Sequence, residues 1–442
     1  MNPLVIAPVL LPLLAGILLL LLPQSRLTLH RVLSVLAVAA QIGLALALMA
    51  TVSDGRILVY TLGNWPAPFG IVLVADRLAT WMLVITALLA WFSLLYALRG
   101  DDRTGRHFHV LFQLQLLGLN GAFLTGDLFN LFVFFEILLL ASYGLLLHGS
   151  GRRRTRAGLH FVVVNLAGST LFLFAVGTLY GVLGTLNMAD LAIKAAATPP
   201  ENAPLVRAAG LLLFGVFALK AALLPFYLWL PAAYAYTSAS AAALFAIMTK
   251  VGAYSILRVY TLIFGPEAGP AANLIECWLL PLALATLIVG MIGAVASTHL
   301  RQQAAYLVVA SVGSLLTAFG LNNPAGIAAG LYYLPHTTFA AAALFLLADL
   351  IARQRGAMND RLDPGPDLPN SRLLGALFFI TAIAVAGLPP LSGFLGKFLT
   401  LQAALDHALL PWVMGTVLIA ALLGIIALAR TGSLLFYRVD PE

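Results

Sequence analysis

Leu131-Phe132-Val133-Phe134-Phe135-Glu136-Ile137-Leu138-Leu139-Leu140 sets one carboxylate among nine apolar residues. The apolar run extends both ways over about 128–148, long enough to cross a hydrocarbon core of about 30 Å. Working outward, similar segments recur at 4–22, 32–51, 77–97, 108–126, 159–184, 208–232, 238–258, 276–296, 303–321, 326–350, 372–404 and 410–430, thirteen spans in all. Of the 442 residues 62% are hydrophobic and 9% charged, whereas a soluble domain carries roughly 25% charged residues. The expected fold class is all-α, a polytopic transmembrane helix bundle.

Composition also excludes. The net charge of +7 sits in short loops between apolar runs, where it orients spans in a bilayer and does not point to nucleic acid. A single cysteine, Cys277, rules out an internal disulfide and any multi-cysteine metal or redox centre. No Cys/His cluster, Walker loop or dinucleotide fingerprint appears, so neither cofactor nor metal is expected. Residues 4–22 carry no A-x-A-like cleavage site and are read as a first span, not a removed signal.

Loops after odd-numbered spans hold sixteen Lys and Arg, loops after even-numbered spans five, and three intramembrane lysines complete the 24. That bias places the N-terminus outside and the Arg152-Arg153-Arg154 loop in the cytoplasm. Residues 52–76, with Ile57-Leu58-Val59-Tyr60 and Ile71-Val72-Leu73-Val74 around a Pro turn, read as an external β-hairpin. Residues 185–207 read as an external connector, and 351–371 as a flexible cytoplasmic linker.

An ionisable group inside a bilayer costs about 2.5 to 3.5 kcal/mol even on lenient scales, so each one needs a reason. Glu136, Lys220, Lys250 and Lys397 all lie within spans, and His336 follows Pro335 in the eleventh. One structural alternative is a paired charge that holds two helices together; another is a lysine snorkelling to an interface, or a hydrogen-bonded core histidine for His336. Against these, three lysines over-supply positive charge for a single carboxylate. Desolvation disfavours the charged form of each, so the surplus cations are poised to exchange protons. Asp127, Glu276 and Asp349 fall near span ends and read as interfacial charges.

Helix breaks add a second line. Pro225 follows Lys220 by five residues, and Gly387-Leu388-Pro389-Pro390 precedes Lys397. A mid-membrane break frees backbone groups that protein or a water-filled cavity must satisfy, and transporters place such breaks at matching positions of inverted repeats. The two breaks are five spans apart, so their helices run in opposite directions. Two inverted repeats, each with a broken helix, are therefore expected: 108–262 as the first half-channel and 263–437 as the second, after an N-terminal portion, 1–107, that carries the hairpin.

Asp127-Leu128-Phe129-Asn130-Leu131-Phe132-Val133-Phe134-Phe135-Glu136, Lys220-Ala221-Ala222-Leu223-Leu224-Pro225-Phe226-Tyr227-Leu228-Trp229-Leu230-Pro231, Ala243-Leu244-Phe245-Ala246-Ile247-Met248-Thr249-Lys250-Val251-Gly252 and Gly387-Leu388-Pro389-Pro390-Leu391-Ser392-Gly393-Phe394 resemble the antiporter-like subunits shared by Mrp-type multisubunit Na⁺/H⁺ antiporters and respiratory complex I. The Gly63-Asn64-Trp65-Pro66-Ala67-Pro68-Phe69-Gly70-Ile71 segment and Lys397 are most similar to the D-type branch of the Mrp subunits. The resemblance implies about 13–14 spans and a proton- and cation-translocating subunit of a monovalent cation/proton antiporter in the bacterial cytoplasmic membrane. Its partners would be sister membrane subunits, H⁺ and Na⁺, K⁺ or Li⁺. It also implies roles in ion translocation: Glu136 and Lys220 as an adjacent pair, Lys250 as a bridge, Lys397 as the terminal lysine, and His336 between half-channels. Trp229-Leu230-Pro231-Ala232-Ala233-Tyr234 lacks the Asp and His of many complex I relatives, and Ala340-Ala341 stand where some relatives carry a lysine. The rivals are a proton-pumping subunit of a quinone- or hydrogenase-linked complex and a non-conducting scaffold.

Overall fold

The computed structural model describes residues 2–366 and 368–438. Its helices are α1 (Ala7–Leu21), α2 (Leu27–Val52), α3 (Arg77–Ala97), α4 (Phe108–Leu124), α5 (Leu128–Leu147), α6 (Arg152–Leu183), α7 (Met188–Ala196), α8 (Ala203–Ala221), α9 (Trp229–Tyr236), α10 (Ala239–Phe245), α11 (Met248–Leu262), α12 (Glu276–Ala296), α13 (Leu300–Gly320), α14 (Pro324–Gln354), α15 (Ser371–Ala386), α16 (Ser392–Ala403) and α17 (Leu410–Phe436). Among the described residues ten helical stretches are long and apolar enough to cross a membrane, and α1, α4 and α15 are shorter apolar helices. Together they account for the thirteen expected spans, and the chain is a multi-pass membrane protein.

The helices gather into two compact units. One holds residues 1–220 and 254–275, the other 221–253 and 276–442. Within each, a pair of helices packs closely through glycines, as membrane helices do where lipid supplies no hydrophobic drive. In the first unit Gly118 and Gly121 of α4 lie against Leu138 and Phe134 of α5; in the second Gly290 and Gly293 of α12 lie against Ala310 and Tyr306 of α13. A Cβ at any of the four glycines would overlap its neighbour.

The expected hairpin is present as β1 (Leu58–Thr61) and β2 (Val72–Ala75), antiparallel with Leu58 opposite Ala75 and Thr61 opposite Val72. It goes on into a backbone seam. Gly126 N–H donates to Val72 at 2.9 Å, Leu128 N–H to Leu186 at 2.9 Å, and Met188 N–H to Gly126 at 2.8 Å. The seam ends at Asp127, whose carboxylate caps α5 by accepting from Asn130 N–H at 2.8 Å. Asp127 is buried, and burial raises its carboxyl above the usual range, so it is not an ordinary interfacial charge. Asp349 lies on α14 and pairs with Arg301 and Arg353 at 2.9 and 2.6 Å.

One connector and one span differ from expectation. The connector 185–207 contains α7, started by Asn187, whose side chain accepts from Ala189 and Asp190 N–H. The eighth span is interrupted at Ala246-Ile247, although no Gly or Pro marks the place. Tyr234 on α9 donates its hydroxyl to Phe245 O at 2.8 Å, and a side chain inserted into the helical ladder is a recognised cause of such a break.

Candidate functional site

In the first unit α5 presents Glu136 half-buried, and Ser169 Oγ of α6 donates to its carboxylate. One turn earlier on the same face of α6, Asn165 O lies 3.1 Å from Ser169 Oγ. Lys220 of α8 is 5% exposed; its Nζ donates to Asn165 Oδ1 at 3.3 Å and stands 3.5 Å from Asn165 O. The Phe135 ring centroid is 5.9 Å from the ammonium, within cation–π range. The resemblance implies that Glu136 and Lys220 form an adjacent pair. In the structure each is held by the polar edge of α6, Glu136 by the Ser169 hydroxyl and Lys220 by the Asn165 amide, and these two α6 residues are one turn apart. A buried ammonium in hydrocarbon needs acceptors, and Asn165 supplies two.

Beyond Lys220 the helix stops. Ala222 takes a left-handed conformation with φ of 59°, and Pro225 lies in the gap before α9. Leu224 N–H, freed by the break, donates to Thr286 Oγ1 of α12 at 2.9 Å.

In the second unit α15 ends at Ala386, Gly387 adopts φ of 76°, and Pro389-Pro390 fill the gap before α16. Lys397 of α16 reaches back and donates Nζ to Ala386 O at 2.6 Å. That oxygen belongs to the negative end of a helix, where a cation is favoured. A Cβ on Gly387 would lie 2.8 Å from Lys397 Nζ, and one on Gly393 would lie 2.8 Å from His336 Nε2. His336 of α14 shares a 2.9 Å hydrogen bond between Nδ1 and Ser392 Oγ. The Gly387-Leu388-Pro389-Pro390-Leu391-Ser392-Gly393 segment is thus the mount for both ionisable groups.

A cavity of about 20 Å³, lined by His336, Ser311, Ser314, Tyr333 and Thr337, is large enough for a water molecule. A smaller one at Lys397 shares Ser314 and Tyr333 with it. Lys250, near the start of α11, is fully buried, and its Nζ has no hydrogen-bond partner among the described residues.

A family model described as NADH:quinone oxidoreductase/Mrp antiporter, transmembrane, matches residues 125–424. The chain belongs to this family. It is 42% identical over 99% of its length, and 87% of the relative's, to the D-type subunit of a probable K⁺/H⁺ antiporter of Rhizobium meliloti. It is 40% identical over 91% of its length, and 81% of the relative's, to the D-type subunit of a Na⁺/H⁺ antiporter of Alkalihalophilus pseudofirmus. Among solved structures, a chain of the Mrp complex from Dietzia superposes with a TM-score of 0.89 at 32% identity, covering 100% of this chain and 81% of that one.

Within this family frame, the residues that sequence reading missed are Asn165 and Ser169. Their signal was present, since two polar side chains four residues apart lie on one face of an otherwise apolar span.

Proposed function

We propose that the chain is a proton- and cation-translocating subunit of a multisubunit monovalent cation/proton antiporter, of the D type, working beside other membrane subunits. It lies in the bacterial cytoplasmic membrane with its N-terminus outside. Glu136, Lys220, Lys250, His336 and Lys397 carry the charge movement, with the breaks at Pro225 and Pro389-Pro390 opening the helices for it. The observation that carries the reading is that one face of α6 meets both charges, Ser169 donating to Glu136 and Asn165 accepting from Lys220. A proton leaving Lys220 changes the field at Glu136 without either side chain having to travel. Relatives named for K⁺ and for Na⁺ antiport match almost equally well, which supports a monovalent cation and favours antiport over a quinone-linked pump.

The same reading makes 108–262 and 263–437 inverted repeats following the N-terminal 1–107. In its support, the glycine contacts of α12 and α13 repeat those of α4 and α5 with each residue 172 positions later. Both breaks also place a left-handed residue three before a proline, Ala222 before Pro225 and Gly387 before Pro390.

The experiment is antiport in vesicles holding the whole complex, with assembly quantified. Glu136→Gln should lose transport and remain assembled, and Glu136→Asp should transport weakly. Ser169→Ala should slow transport about tenfold or more, with Ser169→Thr restoring it, because one hydrogen bond to a charged group is worth about 1.5 kcal/mol or more. Transport by Glu136→Gln at the parent rate, or a loss that merely tracks assembly, would favour the scaffold.

A further inference from the structure

The N-terminal helices carry a polar stripe that the relay does not use. On α2 the buried face includes His30, Ser34 and Gln41, and on α4 it includes His109, Gln113 and Asn120. The increments are four and seven residues on both helices, which are two spans apart and therefore run the same way. The first and last pairs accordingly meet as rungs. At the first, the His30 and His109 rings are 6.3 Å apart. At the last, Asn120 Nδ2 donates to Gln41 Oε1 at 3.2 Å, and both amides donate to Pro8 O, at 2.9 and 3.1 Å.

Between these ends lies a level that is not satisfied. Ser34 and Gln113 are both 0% exposed. Ser34 Oγ, both amide atoms of Gln113, and His109 Nδ1 have no hydrogen-bond partner among the described residues. A buried polar group left in that condition costs about 1–3 kcal/mol, so four such atoms at neighbouring levels call for a shared partner. Water is the fitting one, because the lining supplies donors as well as acceptors. Sequence spacing puts Ala37, Val38, Leu116 and Leu117, all buried, between this level and the last rung. The other end meets Asp102, whose enclosed carboxylate receives Arg31 Nε and Nη2 at 2.6 and 2.8 Å and lies 3.3 Å from His109 Nε2.

We propose that Ser34, His109 and Gln113 form a water-binding pocket inside the N-terminal helices, entered past Asp102 and closed at its far end by the Ala37, Val38, Leu116 and Leu117 layer. His109 stands across the entrance with Nε2 toward Asp102 and Nδ1 available to the water. The N-terminal helices are thus a hydrated chamber and not a dry support.

The test uses the assembled complex in vesicles, in a Cys277→Ser background, with Ag⁺ as a small water-borne thiol probe. After brief exposure from one side, the complex is denatured and the thiols that escaped are alkylated and counted. Ser34→Cys, a nearly isosteric change, should react about tenfold faster than Ala37→Cys, since thiol reactivity follows access and ionisation in water. The faster reaction should come from the side at which Arg103→Cys reacts. Adding Gln113→Leu, which fills the space without polar atoms, should slow the Ser34→Cys reaction about fivefold. Equal rates for Ser34→Cys and Ala37→Cys, or an unchanged rate with Gln113→Leu in complexes assembled to the parent level, would overturn the pocket.

Discussion

Lys220 and Lys397 stand at two helix breaks of similar build, yet they are held by different means. Lys220 precedes its break and is anchored sideways, on Asn165 of α6, one turn from the Ser169 that donates to a carboxylate. Lys397 follows its break and is anchored on the break itself, through the carbonyl of Ala386. At the 172-residue spacing Glu136 falls opposite Val308, so a carboxylate has no counterpart there. The first arrangement can change its charge at either end. The second sets the Lys397 cation against a fixed dipole. On the proposed relay the two anchors would work differently, Lys220 beside a group that can itself change charge and Lys397 against a carbonyl that cannot.

The largest expected effect tests the second anchor. Lys397→Ala should abolish proton movement coupled to the cation while the complex still assembles, because the remaining carbonyl cannot carry a proton; near-normal antiport would remove Lys397 from the path. Next in size is a stability effect confined to the first unit. There Asp76 caps α3 and pairs with Arg258 of α11, accepting from Nη2 at 2.8 Å. Burial pushes the Asp76 carboxyl up, but the hydrogen bonds and charge of Arg258 outweigh it and hold the group below the usual carboxylate range. A depressed carboxyl stabilises above its unfolded value, near pH 4, and that contribution is lost as pH falls through the lower folded value. Asp76→Asn should therefore cost about 2 kcal/mol at neutral pH and much less in acid, as read from thermal melts of the detergent-purified complex at several pH values. An equal cost at all pH values would show that the pair is not the cause.

Gly387→Ala comes third. Its Cβ would fall on Lys397, and its backbone would pay for a left-handed conformation. Transport should drop about tenfold with assembly retained, the equivalent of about 1.4 kcal/mol. The mirror change is the smallest. Ala222 already bears the left-handed conformation, so Ala222→Gly should stabilise by about 1 kcal/mol and leave transport intact. If Ala222→Gly instead impaired transport as Gly387→Ala does, the two breaks would not differ in what their first residue must accommodate.

Much of this was legible in the sequence because the membrane makes it so. Apolar length fixes the spans, the hairpin shows as two β-branched runs around prolines, and Pro225 and Pro389-Pro390 announce the breaks. The break at Ala246-Ile247 was not legible, since its cause, the Tyr234 hydroxyl, comes from another helix. Nor was the way α6 holds Glu136 and Lys220: sequence order says that two charges share a membrane, whereas α6 packing decides what each one meets. α7 carried its own signals, the Asn187 cap and the Asp190–Lys194 pair at 3.2 Å, but they sat inside a stretch whose Pro199-Pro200 reads as a turn.

The hairpin seam has a mechanical consequence for the buried acid. Strand β2, residues 125–128 and the start of α7 are stitched backbone to backbone, and α5 leaves that stitching rigidly, capped by Asp127. Glu136 lies nine residues farther on, about 13.5 Å along the helix axis. Its depth is thus gauged from a fixed datum at the end of the bundle, as a plumb bob hangs from a beam. Lengthening the turn between β1 and β2 would leave that gauge untouched, whereas inserting one residue between Asp127 and Glu136 would lower the carboxylate by about 1.5 Å and swing it about 100° away from Ser169.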